Sequence, residues 1–265
     1  MTRPLGRLKP SDYEHVSKHP YAAVAPATVA TVEKTLVLPS WHWTHDQGSE
    51  GSCVGHGVVM ERAITNTAQN KLLSIILPTR RYDPIYVWNE AKRLDEWPDT
   101  NPGDQNGTSV RAGYDVARTL GMCRVSKMVL TNGVPTPVGE KAVDLKEGIA
   151  SNRWATTIDE MRTAIASGTP VTIGVNWYSS FDDPIQPTNH KTEWWVAVNS
   201  AGTVQKSIGS LRGGHCLCVY GASDRRQAFK LKNSWGRDYP LTWLPYSTMA
   251  RLLKEDGEVA LVTDR

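Results

Sequence analysis

A glycine-rich stretch from Asp46 to Gly57 constrains the fold most, because it runs directly into the largely apolar segment 58–68. Its glycines allow tight turns and a close approach of backbone to ligand. Ser52 is suited to cap a helix that begins at Cys53, and the free amides and dipole of such a helix favour a thiolate. The pattern predicts a nucleophilic cysteine at a helix N-terminus. Taken alone, Cys53 fits the role of a small buried hydrophobic residue better than that of a nucleophile.

Three further signals point to the same chemistry. Gln47 stands six residues before Cys53 and can donate to an oxyanion together with the Cys53 backbone amide. His215 follows two glycines at the start of a predicted strand and is a candidate general base. Asn233 can fix the tautomer of that histidine, while Trp235 shields their hydrogen bond from water. Each signal is weak alone, but together and in this order they predict a thiol hydrolase.

The segments Gln47–Cys53, Gly213–Gly221 and Asn233–Gly236 resemble the active-site motifs of papain-like cysteine peptidases. The resemblance covers roughly residues 38–250. It implies an α+β fold with a left helical subdomain, a right antiparallel β-barrel-like subdomain and a cleft between them. Val54, in place of an aromatic residue after the nucleophile, is similar to the bacterial and phage-like branch, and the chain lacks the long charged helices of a typical pro-region.

The resemblance also implies an activity and a set of roles. The activity is peptide hydrolysis through a thioester intermediate, without a cofactor or metal. Cys53 is then the nucleophile, His215 the base and acid, Asn233 the orienting residue and Gln47 the oxyanion donor. Gly107 and Trp235 are expected at the substrate-binding site, with the loop around Gly107 pairing with an extended substrate backbone.

Hydrophobic spacing and turn signals divide the chain into an extended arm (1–37), a peptidase domain (38–250) and a C-terminal tail that returns to the domain (251–265). Within the domain, residues 38–125 are expected to be mainly helical and 126–250 mainly β. The arm either wraps the body or binds a neighbouring protein. The predicted elements are helices at 53–68, 84–94, 110–120 and 158–167, strands at 171–175, 194–198, 216–220 and 228–231, and a linker with short strands at 122–152.

Composition limits the partners. Hydrophobic residues make up 40% and charged residues 22%, as in a globular chain, and a net charge of +3 without a Lys/Arg block gives no sign of nucleic-acid binding. The longest apolar run, Leu72–Leu77, is too short to cross a bilayer. No secretory signal is visible at the N-terminus, so a cytoplasmic or virion-associated location is expected. The predicted partner is a protein or peptide substrate, with assembly through the arm as a further possibility.

The remaining cysteines and histidines leave alternatives open. Cys216 and Cys218 alternate with His215 on a predicted strand and are expected to pack in the core, with a metal or redox pair as the alternative. His42 and His45 with Cys53 could form a metal site, but no supporting ligand spacing is present. His56 lies on nearly the same helix face as Cys53, where a structural role is expected.

Two other functions compete with the peptidase. A structural or assembly component, for instance of a phage particle, could retain the fold with or without activity. Cell-wall amidases also use cysteine and histidine, but their compact domains place the histidine much nearer to the cysteine than His215 is to Cys53.

Overall fold

The computed structural model describes residues 4–23, 25, 30–69, 81–97 and 107–263. Four of its six α-helices lie in the first half of the chain, and nine of its ten strands follow the fourth helix. The helices of the described residues are α1 (Glu14–Lys18), α2 (Cys53–Gln69), α3 (Pro84–Leu94), α4 (Val110–Thr119), α5 (Ile158–Ser167) and α6 (Tyr246–Lys254). The strands are β1 (Glu33–Thr35), β2 (Met122–Thr131), β3 (Val134–Asp144), β4 (Asn152–Ala155), β5 (Val171–Tyr178), β6 (Trp194–Trp195), β7 (Leu211–Ser223), β8 (Ala228–Lys232), β9 (Thr242–Pro245) and β10 (Glu258–Val262).

The main sheet has eight strands in the order β4-β10-β5-β7-β8-β9-β6, and β1 joins it by pairing with β7. Its pairs are antiparallel except for β6 and β9. β7 is the longest strand, with 13 residues, and it pairs with β5, β8 and β1. A mixed helical and antiparallel-sheet architecture confirms the predicted α+β class.

Helix α2 is the central helix, and it contacts α3, α4 and β7. Two glycines set how closely its neighbours approach. A Cβ atom on Gly57 would lie 2.7 Å from the Cys216 sulfur on β7, and one on Gly113 of α4 would lie 2.8 Å from the Val54 side chain. Both distances are too short for a real Cβ contact, so these glycines allow the helix to lie against the strand and against α4. The first residue of α2 is thereby held against the middle of β7.

Side-chain caps are present at the start of three helices. Asp83 accepts from the Ile85 amide and Pro84 occupies the first position of α3. Ser109 accepts from the Ala112 amide at the start of α4. Thr157 forms the reciprocal capping box of α5. These bonds satisfy amides that the first helical turn leaves without a partner, and they fix where each helix begins.

The region 122–152, expected as a linker with short strands, is instead dominated by a long hairpin of β2 and β3. Asn132 and Gly133 form its two-residue turn with φ angles of 52° and 79°. Positive φ at both positions is typical of the type I′ turn that Asn-Gly favours between strands. The Asn132-Gly133 dipeptide therefore indicates a hairpin from the sequence alone.

Three other details differ from expectation. The strand predicted at 194–198 is reduced to Trp194–Trp195. Residues Glu258–Val262, within the expected C-terminal tail, form β10 between β4 and β5, and every residue of this strand is buried. The hydroxyl of Ser52 is buried and makes no hydrogen bond to any described residue, so α2 begins at Cys53 as predicted but without the expected side-chain cap. The amide of His56 instead bonds to the backbone carbonyl of Ser52 as the helix's own first turn.

The described part of the N-terminal arm lies against the body of the protein. Glu33–Thr35 pairs with β7 as strand β1, and Pro20 bridges to Trp154 on β4. Arg7 bridges to Thr108, just before α4. Of the two expectations for the arm, wrapping the body agrees with these contacts, and binding a neighbouring protein stays a prediction.

Some sequence-based expectations concern residues outside the described part of the chain. The apolar run Leu72–Leu77 is one of these. Among the helices that are described, none combines the length and the apolar character needed to cross a membrane.

Candidate active site

Cys53 is the first residue of α2, and its side chain is fully buried. The backbone amides of Cys216, Gly6 and Val54 contact the thiol and favour the thiolate. Burial nevertheless outweighs them and raises the pKa of the Cys53 thiol to about 12. The backbone amides thus favour the thiolate, in the direction expected at a helix N-terminus, but in this closed arrangement the loss of water disfavours the charged form by more.

His215 lies on β7, directly before Cys216, whose amide contacts the thiol. Its Nε2 atom lies 2.8 Å from Oδ1 of Asn233, eighteen residues along the chain. That oxygen also accepts from the Ser234 amide at 2.7 Å, which identifies it as the amide oxygen and requires the proton of a neutral ring to be on Nε2. Nδ1 is buried and makes no hydrogen bond among the described residues, so it is the nitrogen left to accept a proton. Burial lowers the pKa of His215 to about 4, against the opposing effect of the Asn233 bond.

Two tryptophans enclose the imidazole of His215. Trp235 stacks on it, with ring centroids 4.9 Å apart and an angle of 26°, and its own side chain is almost fully buried. Trp177 on β5 meets the same imidazole edge-on at 4.7 Å and also packs against Trp235. The shielding predicted for Trp235 agrees with this packing, whereas its contact with a substrate stays a prediction. The role of Trp177 carried no signal in the sequence.

Gln47 is held beside Asn233 by two hydrogen bonds to the neighbouring Ser234. The Ser234 hydroxyl donates to Gln47 Oε1 at 2.6 Å, and the backbone amide of Gln47 donates to the backbone carbonyl of Ser234 at 2.7 Å. The side-chain nitrogen is therefore presented as a donor, and it reaches the carbonyl oxygens of Glu50 at 2.8 Å and Pro4 at 3.4 Å. An amide held in this way can donate to a developing oxyanion.

The structure thus brings the predicted Cys53, His215, Asn233 and Gln47 to one place, where α2 meets β7 and the end of β8. No protein-family model matches the chain. A curated relative, the uncharacterized peptidase C1-like protein L477 of Acanthamoeba polyphaga mimivirus, is 24% identical over 236 residues, covering 83% of this chain and 69% of the relative.

Solved structures give a closer view of the fold. Xylellain, a cysteine protease from Xylella fastidiosa, matches with a TM-score of 0.62 and 19% identity, covering 100% of this chain and 99% of that one. The chain has the papain-like cysteine peptidase fold. Procathepsin B S9 from Trypanosoma congolense gives a TM-score of 0.59 at 10% identity over 98% of this chain and 87% of that one. Procathepsin L 3 from the Tenebrio molitor larval midgut gives 0.56 at 13% identity, over 98% and 76%.

The predicted papain-like resemblance is therefore confirmed. The relative and the structural neighbours together support a cysteine-type peptidase.

The papain-like cleft of this chain is occupied by its own residues Pro4–Leu8, which we name the cleft segment. The Arg7 amide donates to the Gly214 carbonyl at 3.1 Å, and the Leu8 amide donates to the Thr108 carbonyl at 2.9 Å. The Thr108 amide donates to the Gly6 carbonyl at 2.9 Å. An extended chain is thus held by main-chain bonds on both sides, which is how peptides bind at exposed strand-like edges.

The two glycines that border the cleft segment leave it almost no spare room. A Cβ atom on Gly107 would lie 2.0 Å from the Gly6 carbonyl oxygen, and one on Gly214 would lie 2.1 Å from that of Arg7. Gly107 therefore lies beside an extended backbone, as its expected place at the substrate site requires. The hydrogen-bonding groups come from its neighbour Thr108.

A second group of titratable residues lies behind the catalytic set. His45 and His56 are buried, with their Nδ1 atoms 3.4 Å apart. Burial lowers the pKa of His56 to about 3 and lowers that of His45 well below its usual value. Lys232, whose pKa burial lowers to about 8, donates to the Asn233 carbonyl at 2.6 Å. The neutral histidine pair agrees with a structural role for His56.

The described residues contain no group of three or more histidine, cysteine or acidic side chains placed to hold a metal ion. Cys53, Cys123, Cys216 and Cys218 are all buried and free of disulfides.

Proposed function

We propose that this chain is a papain-like cysteine endopeptidase whose nucleophile is Cys53. The observation that supports it best is the arrangement of His215. Its Nε2–H donates to Asn233, its Nδ1 has no partner in the part of the chain that the structure describes, and the amide of the next residue on β7, Cys216, contacts the Cys53 thiol. A neutral imidazole in this tautomer can take the thiol proton through Nδ1.

In the proposed reaction the Cys53 sulfur attacks the carbonyl carbon of the scissile bond while His215 Nδ1 takes its proton. The resulting oxyanion accepts hydrogen bonds from Gln47 Nε2 and the Cys53 amide, and one such donor contributes about 3 kcal/mol in the transition state. His215 then protonates the leaving amine as the tetrahedral species collapses to a thioester. Water attacks the thioester with His215 again as base, which releases the acid and restores the thiol.

The position of the cleft segment supports the assignment of Gln47. The Pro4 carbonyl accepts from Gln47 Nε2, so the donor proposed for the oxyanion already faces the interior of the cleft. The same segment covers the nucleophile, and we propose that it must move before a substrate can bind. A proteinaceous substrate is the proposed partner.

The test is covalent labelling of Cys53 by an epoxide-type thiol-protease inhibitor, combined with digestion of a peptide library. Both are measured on the full chain and on Gly6→Ala, because a Cβ at position 6 would lie 1.8 Å from the Gly51 carbonyl oxygen and so displaces the cleft segment. We expect labelling and hydrolysis in Gly6→Ala, and loss of both when Cys53→Ala is added. Cys123→Ala, which removes a buried cysteine elsewhere, is the matched control and should retain both.

A structural or assembly component that retains the fold is the second candidate. The observation that favours it is the covered nucleophile, since Cys53 has no exposed surface while the cleft segment is in place. Under this alternative, Cys53→Ala would leave binding to partner proteins intact, and the Gly6→Ala protein would neither react with the inhibitor nor cleave any peptide.

A further inference from the structure

The segment that follows β5 anchors one of the two tryptophans beside His215. Asp182 comes directly after the 3₁₀ turn Ser179–Phe181. Its Oδ1 atom accepts from the indole Nε1–H of Trp177 at 2.9 Å, and its other oxygen forms an ion pair with Arg212 on β7. The Asp182 and Arg212 side chains are 21% and 14% exposed, so most of the pair is out of water. One carboxylate thus connects the tryptophan on β5 to the strand that carries His215.

The Trp177 indole is almost fully buried, and its N–H group depends on this acceptor. Phe181 meets the indole edge-on at a centroid distance of 5.2 Å, and Trp235 does so at 5.3 Å. These ring contacts pack the indole but offer its N–H no acceptor as good as a carboxylate. A buried N–H that loses its acceptor is costly, so without Asp182 we expect the indole to turn or to admit water.

The place of the Trp177 indole controls the imidazole of His215. The two rings meet edge-on with centroids 4.7 Å apart and an angle of 70°, while Trp235 covers the face of the imidazole. Together the two indoles oppose rotation of the imidazole about its Cβ–Cγ bond. Such a rotation would break the hydrogen bond to Asn233 and change the direction of Nδ1. Proton transfer is sensitive to this geometry, since a displacement of about 1 Å can lower the rate about 100-fold.

The charges of the Asp182–Arg212 pair act on His215 in opposite directions. Burial lowers the pKa of His215 to about 4, against the Asn233 bond and the Asp182 carboxylate, which both favour the imidazolium, whereas Arg212 opposes it. Because the two charges are paired with each other, their effects on the imidazole partly cancel. We therefore expect the hydrogen bond from Asp182 to the indole to matter more than the charge.

We propose that Asp182 is a positioning residue of the peptidase, which acts through the indole of Trp177 to hold the imidazole of His215 so that Nδ1 can take the Cys53 proton. This inference rests on the proposed function and adds a residue that acts through another side chain rather than on the substrate. Asp182 lies five residues after Trp177, and the turn between them brings its carboxylate back to the indole.

The first measurement needs no catalysis and uses the otherwise unmodified chain. The Nε2 proton of His215 is buried and bonded to Asn233, so its exchange with water reports how often the imidazole leaves its place. It is followed by ¹H–¹⁵N NMR at neutral pH and identified by its loss in His215→Phe. Asp182→Ala should speed the exchange by about tenfold or more, as expected when a buried hydrogen bond is lost. Asp183→Ala, at the exposed neighbouring carboxylate, is the matched control and should leave the exchange unchanged.

The second measurement is peptide hydrolysis by Gly6→Ala, in which the cleft segment is displaced. Adding Asp182→Ala should lower kcat by about 10- to 100-fold and change KM by less than about threefold, because the base is displaced while the contacts with substrate remain. Asp182→Asn keeps an oxygen that can accept from the indole, so it should retain kcat within about threefold. Asp183→Ala should behave like the Gly6→Ala parent.

A double-mutant cycle tests whether Asp182 acts through the indole. Trp177→Phe removes the N–H group but keeps an aromatic ring and the carboxylate. In this background Asp182→Ala should lower kcat by less than about threefold, because the bond that it would break is already absent. Trp177→Phe alone should speed exchange of the His215 proton, and it supplies the test if Asp182→Ala does not fold.

Equal exchange rates and equal kcat values in Asp182→Ala and Asp183→Ala would overturn the assignment of Asp182. Additive effects of Asp182→Ala and Trp177→Phe on kcat would overturn the route through the indole. If Gly6→Ala neither cleaves any peptide nor reacts with the inhibitor at Cys53, the proposed function fails instead, and exchange of the His215 proton still decides whether Asp182 holds the imidazole.

Discussion

The fit of the cleft segment predicts that a single side chain controls access to Cys53. The perturbation is Arg7→Ala, which removes one partner of the Arg7–Glu258 ion pair, whose two side chains are 1% and 0% exposed. Removing one partner of a buried pair costs about 3–5 kcal/mol. Because Glu258 keeps His15 at 3.3 Å, we take the lower value. About 3 kcal/mol corresponds to a roughly 100-fold larger fraction of molecules in which the cleft segment has left.

The assay is the second-order rate of alkylation at Cys53, followed by peptide mass mapping to separate this residue from the other three cysteines. Cys53 has no exposed surface in the closed structure, so its labelling rate is expected to follow the open fraction. The rate in Arg7→Ala should therefore exceed that of the unmodified chain by roughly 100-fold, within the factor of a few that such energies carry. Gly6→Ala should raise it through a different cause, the 1.8 Å clash with Gly51.

The matched control is Lys9→Ala, at the residue that follows the cleft segment. Lys9 pairs with Asp256 at the surface, and the side chains are 53% and 49% exposed. Exposed pairs contribute little, so this variant should change the rate by no more than a few fold. The reasoning is refuted if Arg7→Ala and Lys9→Ala have equal effects, or if the unmodified chain is alkylated as fast as Arg7→Ala.

Three further predictions follow from the hydrogen bonds and buried charges. In the Arg7→Ala background, Asn233→Ala should lower kcat by at least about tenfold in peptide hydrolysis, because His215 loses the acceptor that fixes its tautomer, and an unchanged kcat would contradict this role. Thr157→Ala should lower the free energy of unfolding by about 1 kcal/mol in urea titration, since it removes the cap of α5, whereas Thr136→Ala on the exposed hairpin should have little effect. Finally, stability should fall as the pH is lowered from about 7 to 5, measured in urea on Cys53→Ala. His45, His56 and His215 have folded-state pKa values below the ordinary 6.5, so in this pH range they bind protons only on unfolding. Each lowers the free energy of unfolding by up to about 1.4 kcal/mol per pH unit as the pH falls. Together they outweigh the opposite effect of Glu61, whose pKa burial raises to about 8. Higher stability at pH 5 would show that the sign is wrong.

The helices and the candidate catalytic residues could be predicted because their signals are local. Asp83 before Pro84, Ser109 before Val110 and the Thr157–Glu160 box each act within one helical turn, so a short window of sequence contains the whole interaction. The same holds for the glycine-rich turn before Cys53. The Asn132-Gly133 turn was equally local, and the hairpin it makes was missed by interpretation rather than by lack of signal.

The long-range pairings could not be read in this way. Strand β10 lies between β4 and β5 in the sheet, and Glu258, its first residue, comes 80 residues after Tyr178, the last residue of β5 (258 − 178 = 80). The apolar residues of β10 do not indicate which strands they join. Glu258 looked like one more acidic residue near the C-terminus. The environment of the Glu258 carboxylate is set by Gly174, which lies opposite it in the sheet, and by Arg7 from the other end of the chain.

The protonation state of Cys53 also depends partly on local sequence and partly on contacts between distant parts of the chain. The sequence determined that a cysteine would stand at a helix N-terminus, with a histidine, an asparagine and a glutamine able to serve it. Only the tertiary structure decided that residues 4–8 cover that cysteine, and with it that burial, not the helix dipole, sets its pKa. The physical reason is that residue type and local backbone are properties of a short segment, whereas exclusion of water requires segments from distant parts of the chain to meet.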